Sequence, residues 1–277
     1  MSQESFIKKL FIQNSKCFST FPDKELAEKF IDQLFDFLFL PKSVRHKQPS
    51  DLEKEYEFLK SQFSSLVFDV LYDGDKTEDV TEVFFEAVPS IYHLLLKDAE
   101  AILQFDPAAE SVEEVLVAYP GFYATVIYRL SHQLCNQGIK ILPRLFTEYA
   151  HSKTGIDINP GAKIGKSFFI DHGTGIVIGE TAIIGDNVKI YQGVTLGALN
   201  VAKELAKTKR HPTIEDNVII YSGATILGGE TIIGHDSIIG GNVWLTYGVL
   251  PNSIVYHKSE IAVKDKIPLT EALNFVI

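Results

Sequence analysis

Four short polar segments in the second half of this 277-residue chain hold the side chains most able to do chemistry. They are Asp157, in Gly155-Ile-Asp-Ile-Asn-Pro160; Asp171 and His172, in Phe169-Ile-Asp-His-Gly-Thr-Gly175; Glu180, in Gly179-Glu-Thr181; and Arg210 with His211, ahead of Pro212. An imidazole titrates near neutral pH, so a histidine beside a carboxylate is equipment for moving a proton. The same histidine is also at home as a hydrogen-bonded corner residue, and residue type alone leaves both readings open. Arg210 belongs to a run, Lys203 to His211, that carries four cationic side chains and one acid and can attract an anion. Both cysteines, Cys17 and Cys135, precede these segments, so a covalent acyl-cysteine route has no nucleophile among them.

The elements that must position these groups follow from a repeat. Counting in sixes gives Ile158, Ile164, Ile170, Ile176, Ala182, Val188 and Val194, then a break at the Lys-rich run, then Ile214, Ile220, Ile226, Ile232, Ile238, Trp244 and Leu250; all are apolar. A period of six suits short strands joined by sharp turns, three to a triangular coil, with the apolar side chain inward and Gly or Asn at the corners. Stacked coils make a parallel β-helix. Asp157 and His172, fifteen residues apart, would then share one edge of the prism.

Residue usage divides near position 150: of 19 Phe, 16 precede it, and of 19 Gly, 16 lie from Gly155 to Gly248. The first half reads as helices. Apolar spacing predicts them over 24–40, 52–72, 80–96 and 122–137, with Ser111 and Glu114 as a capping box opening a short one. The expected fold is α+β: a helical assembly domain over 1–150, a parallel β-helix over 151–258 and a flexible tail over 259–277. A net charge of −10 disfavours nucleic acid as a partner. Residues 30–40 are too short and too charged to span a bilayer. The N-terminus lacks the apolar core of a signal peptide. Two cysteines suit a reducing cytoplasm.

Residues 155–197, with Lys209-Arg-His-Pro212, Phe105-Asp-Pro-Ala108 and Tyr119-Pro-Gly-Phe122-Tyr-Ala, resemble serine acetyltransferases, members of the hexapeptide-repeat acyltransferases. The likeness covers roughly residues 90 to 250. It implies a left-handed β-helix, a homotrimer or dimer of trimers, and acetyl transfer from acetyl-CoA to the hydroxyl of L-serine with no metal. Residue by residue, it makes His172 the general base and Asp157 its orienting carboxylate. Asp106 and Asp171 would meet the serine ammonium, Arg210 and His211 its carboxylate, with Glu180 in the same cluster. Gly197, Ala198, Ser222 and Gly223 would contact CoA. The tail ending at Ile277 would offer its free carboxylate to O-acetylserine sulfhydrylase (cysteine synthase).

The chain departs from that family after the last coil. Tyr256-His-Lys-Ser-Glu-Ile261 stands where many members have Gly-Val-Pro-Ala-Arg/Lys, leaving Lys258, Lys264 and Lys266 as substitutes at the adenine end of CoA. Rival readings are a hexapeptide acetyltransferase for homoserine or a sugar, a non-catalytic scaffold, and a zinc hydratase. The zinc reading needs three histidines on one metal, and His172, His211 and His235 are widely spaced.

Overall fold

A computed structural model describes residues 3–17, 21–41, 46–199 and 208–258. The expected tail with Ile277, Lys264 and Lys266, and the loop with Lys203 and Lys207, lie outside the described residues. Among the described residues seven helices come first: α1 (Gln3–Cys17), α2 (Lys24–Phe39), α3 (Pro49–Leu71), α4 (Gly74–Phe105), α5 (Val112–Ala118), α6 (Pro120–Asn136) and α7 (Leu142–Thr154). The expected helices appear as α2 to α6, and α1 and α7 are additional. The Ser111 hydroxyl caps α5 by accepting from the Glu114 N–H at 3.2 Å. The Glu114 carboxylate reaches back to the Glu110 N–H, one residue beyond the expected box.

Buried aromatic rings hold the helices together. Phe63 on α3 stacks on Phe84 of α4 at 4.3 Å and meets Phe30 of α2 at 5.3 Å. Helix α6 is buried over much of its circumference, as suits an element packed on both sides. One side faces the other helices and the other lies on the first coil of the second half. Gly121 makes that approach close, since a Cβ there would lie 2.8 Å from the Ile170 carbonyl oxygen. The Tyr128 hydroxyl donates to Ala162 O at 2.6 Å, and Arg129 reaches Ile164 O and Gly165 O at 3.2 and 2.7 Å. Helix α7 ends at Gly155, whose φ of 71° gives the left-handed cap, so the helix runs past position 150.

The described residues of the second half form a parallel β-solenoid of fourteen short strands on three faces. Face A stacks β1 (Asp157–Ile158), β4 (Val177–Ile178), β7 (Thr195–Gly197), β10 (Thr225–Leu227) and β13 (Trp244–Leu245). Face B stacks β2 (Lys163–Ile164), β5 (Ile183–Ile184), β8 (Thr213–Ile214) and β11 (Ile232–Ile233). Face C stacks β3 (Phe169–Asp171), β6 (Lys189–Tyr191), β9 (Ile219–Ile220), β12 (Ile238–Ile239) and β14 (Ile254–Val255).

The single six-residue phase holds only in part. From β3 to β4 the strand starts are eight residues apart instead of six, and from β10 to β11 seven. Each extra residue is absorbed in a turn. As a result Ile233, Ile239 and Leu245 point inward, while Ile232, Trp244 and Leu250 are exposed, against expectation. The earlier positions Ile158, Ile170, Ile176, Ala182, Val188, Val194, Ile214, Ile220 and Ile226 are all buried.

Candidate functional site

The two-residue excess between β3 and β4 is the turn that carries His172. Its backbone φ is 56°, followed by 87° at Gly173 and 81° at Gly175. Gly173 N–H donates to Asp171 O at 2.6 Å, closing a three-residue turn around the histidine. A side chain with positive φ in so tight a turn is thrown outward from the coil. The His172 side chain is 70% exposed and the Asp171 side chain 17% exposed, with Nδ1 of the first 3.5 Å from Oδ1 of the second.

Beside this corner the two halves of the chain bring acids together. Asp106, directly after α4, accepts from the Tyr119 hydroxyl at 2.6 Å and from the Ala108 N–H at 2.8 Å. Burial, and then the Asp106 carboxylate, push the Tyr119 phenol far up, with a further contribution from Asp171, so Tyr119 stays a protonated donor. Burial, and then Tyr221, Asp171 and Asp106, push up the phenol of Tyr191, one rung from Asp171 on face C. Phe105, next to Asp106, meets Phe169, two residues before Asp171, edge-on at 6.5 Å, so Asp106, Asp171 and His172 share one neighbourhood. Tyr119 and Tyr191 belong to it and were not singled out by sequence; Tyr119 sits within the quoted Tyr-Pro-Gly motif, which was the available signal.

Asp157 opens face A next to the same corner, whose turn is stacked on Gly155 through the Gly175 N–H at 2.8 Å. Its carboxylate faces Arg144 Nη1 on α7 at 3.5 Å. In one chain, then, the imidazole lies against Asp171, and Asp157 against Arg144.

Arg210 and His211 are on another corner, between β7 on face A and β8 on face B. Arg210 pairs with Glu180. The His211 ring lies over Gly179, where an added Cβ would overlap it. Its Nδ1 accepts from the Thr181 N–H at 3.0 Å, and the Thr181 hydroxyl lies 2.9 Å from the same nitrogen. Burial, and then the Arg210 and Lys209 charges, push the His211 pKa down to about 4. The ring is therefore neutral at pH 7, with its proton on Nε2 and available for donation. Lys209 turns its ammonium onto the carbonyls of His211 and Pro212, and burial pulls its pKa down.

The four residues expected to touch CoA divide between these corners. Ser222 and Gly223 lie on the His172 corner, farther along the prism: Gly223 N–H donates to Gln192 O, and Gly193 N–H to Thr174 O, both at 2.9 Å. Gly175, Gly193 and Gly223 all have positive φ and stack, with an added Cβ on each of the first two 3.4–3.5 Å from the next glycine's backbone. The result is a track free of side chains. Gly197 and Ala198 lie across face A, at its border with the Arg210 corner. Among the described residues no three His, Cys, Asp or Glu side chains are grouped to hold a metal. No helix among them is long and apolar enough to cross a membrane.

No protein-family model matches the chain. A curated plasmid-encoded serine acetyltransferase of Synechococcus elongatus is 51% identical over 182 residues, which cover 64% of this chain and 57% of that protein. Among solved structures, serine acetyltransferase 1 of Entamoeba histolytica, in complex with L-cysteine, superposes with a TM-score of 0.75 at 37% identity, covering 86% of this chain and 88% of that one. A serine acetyltransferase of Neisseria gonorrhoeae, in complex with serine, gives 0.59 at 25% identity, covering 87% and 98%. At 37% identity to a relative of which it covers 88%, the chain belongs to the serine acetyltransferase family.

Proposed function

We propose that the protein transfers the acetyl group of acetyl-CoA to the hydroxyl of L-serine, giving O-acetylserine and free CoA. The observation that carries this reading is the packing of Phe105, next to Asp106 in the helical half, edge-on against Phe169 at 6.5 Å, which brings Asp106 to the strand that ends at Asp171 beside the projecting His172. Two carboxylates next to a base suit an acceptor that bears both an ammonium and a hydroxyl. Solved relatives bound to L-cysteine and to serine support an amino-acid pocket.

In the proposed reaction the serine ammonium engages Asp106 and Asp171. This draws Asp171 from the imidazole and leaves Nδ1 to Asp157. Nε2 of His172 takes the hydroxyl proton as the oxygen attacks the thioester carbonyl. A carboxylate on Nδ1 holds the tautomer and stabilises the imidazolium. Backbone N–H groups of the coil stabilise the oxyanion. The C–S bond then breaks, and the thiolate recovers the proton from His172. The glycine track leads the pantetheine arm to the same corner.

The serine carboxylate falls to Arg210 and the neutral His211 donor of a neighbouring copy, since their corner is not that of His172. The forked guanidinium, oriented by Glu180, suits a carboxylate. The reaction and the free thiol at Cys135 suit a cytoplasmic enzyme. The tail ending at Ile277 would serve a sulfhydrylase partner.

The test is thiol release from acetyl-CoA with L-serine, L-homoserine or no acceptor. The expected result is serine-dependent release that drops by about a thousandfold or more in His172→Ala. Release with homoserine alone, or none with any acceptor, would overturn the assignment.

A further inference from the structure

On face C the outward residues at the ends of the strands, or one position past them, form a column running alongside the glycine track. It starts at Asp171, which pairs in register with Tyr191. The Tyr191 and Tyr221 rings stack at 5.1 Å with 22° between planes, and Phe169 meets Tyr191 edge-on at 6.0 Å. Tyr221 N–H donates to Ile239 O at 2.8 Å, and Gly240 N–H donates to Val255 O at 2.7 Å. The next two rungs therefore present Gly240 and Tyr256. Rings occupy every rung of this ladder beyond Asp171 except that of Gly240, where a Cβ would already lie 3.0 Å from the Val255 carbonyl oxygen. Tyr221 and Tyr256 flank that gap and are 41% and 74% exposed.

We propose that Tyr221 and Tyr256 hold the adenine of CoA between them, over Gly240. This rests on the acetyl-CoA reading above and extends it to the end of the cofactor that the family turn does not supply here. Three observations favour a purine joined to the acetyl group over any other occupant. The column begins beside His172, where the thioester must sit. The parallel track of Gly175, Gly193 and Gly223 closes at Asn242, whose side chain abuts Gly223, so a ligand arm following it is turned out at the Gly240–Gly241 rung. That rung lies three strand spacings from Asp171, about 14 Å, a span that the pantetheine arm and diphosphate cover when folded. Lys258, exposed two residues beyond Tyr256, then supplies positive charge for the phosphates. The gap is a single rung of the ladder, so a base completes the stack that the tyrosines begin.

The experiment is calorimetric titration of the full chain with CoA and with pantetheine, which lacks the nucleotide. The variants are Tyr221→Ala, Tyr256→Ala and Tyr221→Phe; both tyrosines are solvent-accessible, and their loss leaves the inward core intact. The expected result is a CoA dissociation constant raised about tenfold in each alanine variant. Pantetheine binding should stay unchanged, and Tyr221→Phe should behave as wild type because the ring remains. CoA affinity within about twofold of wild type in both alanine variants would overturn the stack. So would a parallel loss with pantetheine, or a Tyr221→Phe as weak as Tyr221→Ala. Serine turnover is read separately. A wild type that binds CoA by this pattern without acetylating serine loses the acceptor assignment and keeps the stack. An active wild type with indifferent variants does the reverse.

Discussion

The His211 imidazole is held neutral by burial and by the Arg210 and Lys209 charges, and this gives it a stability signature. Its pKa is about 4 in the folded chain, against about 6.5 when unfolded. Between those values the unfolded chain binds the extra proton, so stability rises with pH across the window. The contribution is complete above pH 6.5 and is lost as pH falls toward 4, up to about 3 kcal/mol. Urea unfolding of wild type and His211→Gln should therefore diverge above pH 5 and converge at pH 4. Curves that stay parallel would refute a buried neutral ring. Gly179→Ala tests the seat of the same ring, because the new methyl overlaps the imidazole and pushes it off the Thr181 N–H. The serine KM should rise about tenfold or more, with the acetyl-CoA KM unmoved. An unchanged serine KM would remove His211 from the acceptor site. None of this is legible in Arg-His-Pro as a string. The sequence offers the imidazole, but its tautomer is set by the Thr181 N–H, thirty residues away and one rung below.

Helix α6 ties the solenoid to the helical half through one buried ion pair. Asp98 on α4 and Arg129 on α6 are 0% and 5% exposed. Arg129 donates to both carboxylate oxygens, at 2.6 and 2.9 Å, and Asp98 also accepts the Phe168 N–H at 2.9 Å. Phe168 lies four residues before His172, so the pair fixes the approach to the reactive turn. Breaking a buried pair leaves an uncompensated charge, so Arg129→Leu should cost about 3–5 kcal/mol in chemical denaturation. Adding Asp98→Leu to it should recover part of the loss, because the orphaned carboxylate goes too. A double variant no more stable than Arg129→Leu would mean that the carboxylate matters more to Phe168 than to Arg129. Sequence spacing made α2, α3, α4 and α6 readable, since their apolar faces repeat at helical intervals, and the Ser111 capping signal marked α5. It missed α7, whose thirteen residues mix charges with the apolar face and whose clearest signals are Pro143 at the start and Gly155 at the end. It also carried one phase through the whole solenoid, where the turns at His172 and after β10 insert residues. The first of these insertions holds the proposed base, so the failure of the period was itself a mark of the site.

On the scale of the whole molecule, the proposed site is divided between two corners of one prism. His172, Asp171 and Asp106 stand where face C turns into face A, and Arg210, His211 and Glu180 where face A turns into face B. A rigid prism cannot bring its own corners together, whereas a copy packed beside it sets one corner against another in a closed, symmetric assembly. The sequence showed both groups and could not show this, because a repeat gives the order of residues along the coil and not what stands next to the coil. The consequence is measurable with two inactive proteins. His172→Ala and Arg210→Ala should each lose serine turnover when alone. After joint unfolding and refolding in equal amounts, an interface between an Arg210→Ala copy and a His172→Ala copy has an intact His172 on one side and an intact Arg210 on the other. Random mixing makes about one interface in four fully intact, so about a quarter of wild-type activity should return. If both residues served one active site within a chain, every site in the mixture would lack one of them, and no activity would return at any mixing ratio.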